Sequence, residues 1–210
     1  SSTATISVLA RKSRKASEQE ATDYVAAMLL AVSMMFLRFM ILILIFSREI
    51  FLSIYPYLLT MAVVAAIVAW FIHSRQKRPE DQSAETEEDD SSNPLEFKVA
   101  LIFAVLFVIF TFLTHYTLVY AGTGGLNLLS FVSGFSDITP FILNLLQNTG
   151  SVAALIITAC SMQAIISNIM VNMFYALFFA GKGSKLRPWI LGGFGVVIAC
   201  NLVLLLFFYI

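Results

Sequence analysis

Long apolar runs fill this chain, and short polar breaks separate them. Residues 24–46 are apolar except for Ser33 and Arg38 near the middle. Residues 51–72, 99–121, 152–180 and 189–210 repeat the pattern. A run of about 20 apolar residues is long enough to cross a bilayer as a helix. The pattern therefore predicts an all-α, polytopic membrane protein with about five spanning helices. Tyr24, Tyr55, Tyr57, Trp70, Tyr120, Trp189 and Tyr209 cluster near the run ends, where amphipathic rings suit the membrane interface. Gly122-Thr123-Gly124-Gly125 reads as a turn after the third run, since it lacks the Lys-Ser/Thr of a phosphate loop.

Residues 126–147 have spanning length but a polar centre, Ser133-Gly134-Phe135-Ser136-Asp137-Ile138-Thr139-Pro140. Gly, Ser, Asp and Pro together break a helix. The segment is either a broken spanning helix or a re-entrant hairpin, and non-helical backbone at that depth must be buried in protein or line a wet cavity.

Composition agrees with the pattern. The chain has 210 residues, of which 59% are hydrophobic and 12% charged, with a mean hydropathy of +0.86. Soluble domains carry about 25% charged residues. The 13 Lys and Arg balance the 13 Asp and Glu, so no basic footprint for nucleic acid is present. Position changes the picture. Eight acidic residues and no basic one lie in 79–96, which reads as a solvated linker between a first half, 1–78, and a second half, 97–210. Of the basic residues, Arg38 lies inside a run and Arg48 follows the first run. The other eleven fall before residue 16, in 75–98 and in 182–187. If 126–147 is re-entrant, those eleven share one side and Arg48 stands alone on the other. The positive-inside rule favours that arrangement, with the basic side and the acidic linker cytoplasmic, in a cell inner membrane. The chain begins at Ser1 with no signal peptide and reads as part of a longer one, its N-terminal part missing.

The order of elements also repeats. Residues 1–11 precede two long runs, and so do 137–147, with Thr3 matching Thr139, Leu9 matching Leu145 and Arg11 matching Gln147. In the re-entrant topology the two halves have opposite orientation, an inverted repeat of the kind found in secondary transporters. Ser1-Ser2-Thr3-Ala4-Thr5, then Leu9-Ala10-Arg11-Lys12-Ser13-Arg14, resembles the membrane domain of unknown function 4010 family. Asn93-Pro94-Leu95-Glu96-Phe97-Lys98-Val99-Ala100-Leu101 and Ser133-Gly134-Phe135-Ser136-Asp137 resemble its second-half motifs. Thr139 and Pro140 stand where that family usually has a second acid and a small residue. The resemblance implies an integral membrane protein, often fused behind an MgtC/SapB-type domain, and names no substrate.

Asp137 is the one acid in an apolar segment, and it sits at the break. An intramembrane carboxylate points to function; alternatively it only caps the helix that follows. Ser133, Ser136 and Thr139 are placed to complete a polar pocket for a cation or proton. Arg38 needs a partner and finds one acid available, so it either pairs with Asp137, shares a cavity with it, or bonds backbone carbonyls. Asn168 and Asn172 are four apart on one helix face, lining a pathway or bonding between helices. Ser2, Thr3 and Thr5 form either a tip opposing the 133–140 break or a plain helix start. Cys160 and Cys200 sit in apolar runs and read as buried small hydrophobes. No metal, cofactor or hydrolytic constellation is present in the spacing, so an enzyme is not expected. The expected function is passage of a small ion or solute at the two opposed breaks, in a protein able to form a homo-oligomer. The competing class is a non-transporting scaffold or regulatory subunit of an MgtC/SapB-type protein.

Overall fold

The computed structural model describes residues 2–13, 18–74, 94–148, 152–181 and 186–209. Side chains are described throughout these except at residues 2, 18–21, 94–100 and 208–209. Among the described residues the fold is all-helical: α1 (Ser2–Ser13), α2 (Glu18–Phe46), α3 (Arg48–Ser74), α4 (Pro94–Ser133), α5 (Ile138–Gln147), α6 (Ala154–Ala180) and α7 (Arg187–Tyr209). Five helices are long and apolar enough to cross a membrane: Thr22–Phe46, Arg48–Ser74, Leu101–Ser133, Ala154–Ala180 and Arg187–Phe207. Most of the acidic linker and the basic residues at 14–15, 75–78 and 182–185 lie outside the described residues.

Helices α2 and α3 form a tight antiparallel hairpin around Ser47. The Ser47 hydroxyl accepts the Ile50 N–H at 3.4 Å, capping α3. The Ser33 hydroxyl donates to the Ala62 carbonyl at 2.8 Å, and Asp23 meets His73 at 2.8 Å near the open end. Ser33 thus interrupts the apolar run without leaving a polar group bare, since a bonded hydroxyl is tolerated in lipid. Tyr57 donates to the Asn201 side chain, tying α3 to α7 deep in the protein.

The glycine cluster after the third run is not a loop. It is a sharp turn with helix on either side, made at Gly122, whose φ of 59° and ψ of −149° are open to glycine and little else. The chain folds back there. A Cβ placed on Gly125 would stand 2.7 Å from Thr117 Cγ2, eight residues earlier, whereas residues eight apart rise about 12 Å in a straight helix. The arm 123–133 is therefore the first limb of a hairpin, which begins three residues before the expected start at 126.

The contacts of α6 settle how the hairpin lies. Asn127 meets Cys160, Ser130 meets Gln163, and the carbonyls of Phe131 and Gly134 meet Ser167 and Asn168. Both numbers rise together, so the arm runs parallel to the first half of α6 and reaches mid-depth at Gly134. An α5 continuing inward would end about 14 Å beyond that level, while Ala154 lies about 21 Å before it. The link from Gln147 to Ala154 spans at most about 24 Å when extended, too short for a gap of about 35 Å. So α5 returns to the end it came from, and the segment is re-entrant. Phe141 accordingly packs on Phe110, with ring centroids 5.6 Å apart, and Asn144 donates to Thr111 at 2.8 Å.

This topology is checked by cysteine labelling in a background lacking Cys160 and Cys200. Gly124→Cys and Gln147→Cys should both react with a membrane-impermeant maleimide from the same face. Reaction from opposite faces would refute the hairpin.

Candidate functional site

The break between α4 and α5 holds its shape through α6. Two carbonyls of the break, those of Gly134 and Ser136, lack helical partners of the usual kind, and in lipid each would cost several kcal/mol if left bare. The Asn168 amide nitrogen donates to Gly134 O at 3.1 Å and Ser136 O at 3.4 Å. The Ser167 hydroxyl donates to Phe131 O at 2.6 Å. Asn172 donates to the Asn168 amide oxygen at 3.1 Å and so orients it. These residues are buried. Gly134 allows the approach: an added Cβ would collide with the Ser167 side chain and come within 2.7 Å of the Asn168 backbone nitrogen.

Asp137 begins α5. Its Oδ1 accepts the Thr139 N–H at 3.0 Å and the Thr139 hydroxyl at 2.7 Å, a cap that suits the positive end of the helix dipole. Arg38 reaches across from α2 and donates Nη2–H to the Thr139 hydroxyl oxygen at 3.0 Å. Arg38 and Asp137 therefore form no direct ion pair; one threonine hydroxyl accepts from the cation and donates to the anion.

A small cleft opens beside this chain of bonds. Thr3, Met35, Arg38, Phe39, Asp137, Ile138, Thr139 and Asn168 line it, and its volume is about 10 Å³, about enough for one water. Thr3 comes from the first turn of α1. From there α1 runs along the second half of α6, where the Arg11 guanidinium lies 4.4 Å from the Phe179 ring centroid. Thus α1 and α5 both start at the cleft and run toward opposite ends of α6.

The structure brings Asp137, Arg38, Thr139, Thr3 and Asn168 together at one cleft. It does not bring the other expected residues there. Ser133 and Ser136 turn back on the Ser130 and Ser133 carbonyls, closing the break's own backbone and not facing the cleft. Asn172 sits behind Asn168, and Thr5 is outside the lining. The Ser2 side chain lies outside the described residues. Met35, Phe39 and Ile138 were not singled out by sequence; Met35 and Phe39 are three residues before Arg38 and one after it, so helical spacing from the arginine was the available signal. Among the described residues no cluster of three metal-ligating side chains forms.

The clamp on the break is testable by thermal unfolding in detergent. Gly134→Ala should cost about 1–3 kcal/mol by overpacking, and Asn168→Ala a similar ~1–3 kcal/mol by baring carbonyls. Gly192→Ala, where an added Cβ meets nothing within 4 Å, should leave the melting temperature unchanged. Equal melting temperatures for Gly134→Ala and Gly192→Ala would refute the close approach.

The chain is 26% identical over 115 residues to a protein of Aquifex aeolicus (strain VF5) named only "Uncharacterized protein". That alignment covers 54% of this chain and 50% of the relative, so the chain spans about half the length of the curated relative it matches. No solved structure matches the chain. The family model described as "Domain of unknown function (DUF4010)" matches residues 1–180, and a membrane protein with this helical fold and this sequence belongs to that family.

Proposed function

We propose that this protein passes a small ion or solute across the membrane through the cleft between Arg38, Asp137 and Thr3. One observation carries the reading: a charged, partly open site at mid-depth, where α1 and α5 begin and run apart toward opposite ends of α6. Intramembrane ionisable residues beside broken helices are the usual chemistry of transport sites. The element order adds support. A short helix and two long ones (12, 29 and 27 residues) recur as 10, 27 and 23 residues after α4. Each short helix contacts its own long helix and one from the other half, α1 with α2 and α6, α5 with α6 and α2. That reciprocity is what an inverted repeat produces, and alternating access by rocking one half against the other follows from it.

The test is reconstitution of the intact protein in liposomes, with flux measured for a panel of inorganic ions, protons and small organic solutes. At least one should cross faster than in empty vesicles. Thr3→Phe, which fills a cleft of about 10 Å³, should lower that flux about tenfold or more, the effect of ~1.4 kcal/mol on a barrier, without lowering the melting temperature. Flux at the empty-vesicle rate for every solute would replace this reading with that of a membrane scaffold.

A further inference from the structure

Taking that cleft as the transport site, we infer that its ligand is a small monovalent inorganic anion of the halide class.

Two charged side chains line the cleft, and their charges are not equally satisfied. Asp137 is compensated where it stands. Its Oδ1 takes two hydrogen bonds from Thr139, and the carboxylate sits on the N-terminus of α5, where the dipole favours negative charge. Arg38 is different. It carries five N–H donors and donates one hydrogen bond, to a neutral hydroxyl. Among the described residues no carboxylate pairs with it, although it lies in a span of mean hydropathy 2.6. A guanidinium in such a segment requires neutralisation, and the protein supplies it only at second hand, through Thr139. Arg38 lines the cleft and is itself exposed, so a counter-ion from solution can reach the guanidinium.

The rest of the lining is poor in acceptors. The Asn168 amide oxygen is used by Asn172, and its nitrogen is used by the break. The Thr3 carbonyl accepts the Ser7 hydroxyl at 2.8 Å. The side chains of Phe39 and Ile138 offer none. A cation entering here would find one free carboxylate oxygen and a guanidinium beside it. An anion would find several charge-assisted donors, which bind anions strongly. The volume of about 10 Å³ holds about one water, so the site takes one small ion at a time and must widen slightly to seat a halide.

The experiment is ion flux into proteoliposomes of the intact protein, with chloride and bromide set against sodium, potassium and protons. Chloride and bromide should enter well above the empty-vesicle rate. Arg38→Gln should lower halide flux about tenfold or more, the loss of one charge-assisted contact, and Arg38→Lys should restore part of it. Gly192→Ala, where an added Cβ meets nothing within 4 Å, should keep halide flux within about threefold of the unaltered protein. Melting temperatures in detergent establish that each variant is folded. Cation flux lost in Asp137→Asn, with halides at background, would overturn the anion assignment and leave the transport reading standing. Background rates for every ion would overturn both.

Discussion

The carbonyls freed between Ser133 and Asp137 are the constraint on which the rest of this fold depends. A helix can be broken inside a membrane only where protein satisfies the groups it releases. Here one side chain, Asn168, donates to two of them, and Ser167 donates to the Phe131 carbonyl on the last turn of the arm before them. That requirement explains why α6 is the most enclosed span, with 67% of its apolar window buried against 11–39% for the others. It also explains the buried Ser167, Asn168 and Asn172 of α6. A helix facing lipid could not carry them.

The electrostatics of the cleft follow from the same break. Because α5 begins at mid-depth, its N-terminus and its cap, Asp137, lie at the level of Arg38. A direct Arg–Asp pair would neutralise both charges and leave nothing for a ligand. Thr139 prevents this by standing between them. Its single hydroxyl hydrogen goes to the carboxylate and its oxygen lone pair to the guanidinium. Valine has the same shape as threonine but lacks that hydroxyl, so it cannot make this arrangement.

Much of this was legible in sequence, and the missing parts have physical causes. Hydropathy located the spanning helices because lipid rewards length and apolarity irrespective of tertiary contacts. Asp137, Arg38 and the break at 133–140 stood out because charge and helix breakers are rare in apolar runs. Charge asymmetry leaned toward a re-entrant segment, and the contacts of α6 independently agree. What was not legible was register. Gly122 could be identified as a turn former, but whether the helix ends there or folds back depends on Thr117 meeting Gly125. Ser133 and Ser136 resemble pocket residues by composition, yet serine readily bonds its own backbone, and both do. Pairing of Arg38 with Asp137 was the simplest expectation from two lone charges. A bridging hydroxyl between them cannot be read from spacing.

The two halves of α6 are engaged by different kinds of contact. Along its first half, the hairpin arm is fixed by hydrogen bonds at Cys160, Gln163, Ser167 and Asn168. Such bonds are directional, so a small shift breaks several at once. Along its second half, α1 is held by burial of Ile6 and Ala10 and by the Arg11–Phe179 contact, worth about 0.5–2 kcal/mol. Apolar contact is non-directional and survives sliding of one surface on another. The cleft lies where these two regimes meet, at Asn168. One wall is therefore rigid in register, while the other is free to adjust without uncovering a polar group. A transport site of the kind proposed, which holds a charge at mid-depth and still opens, would use that combination.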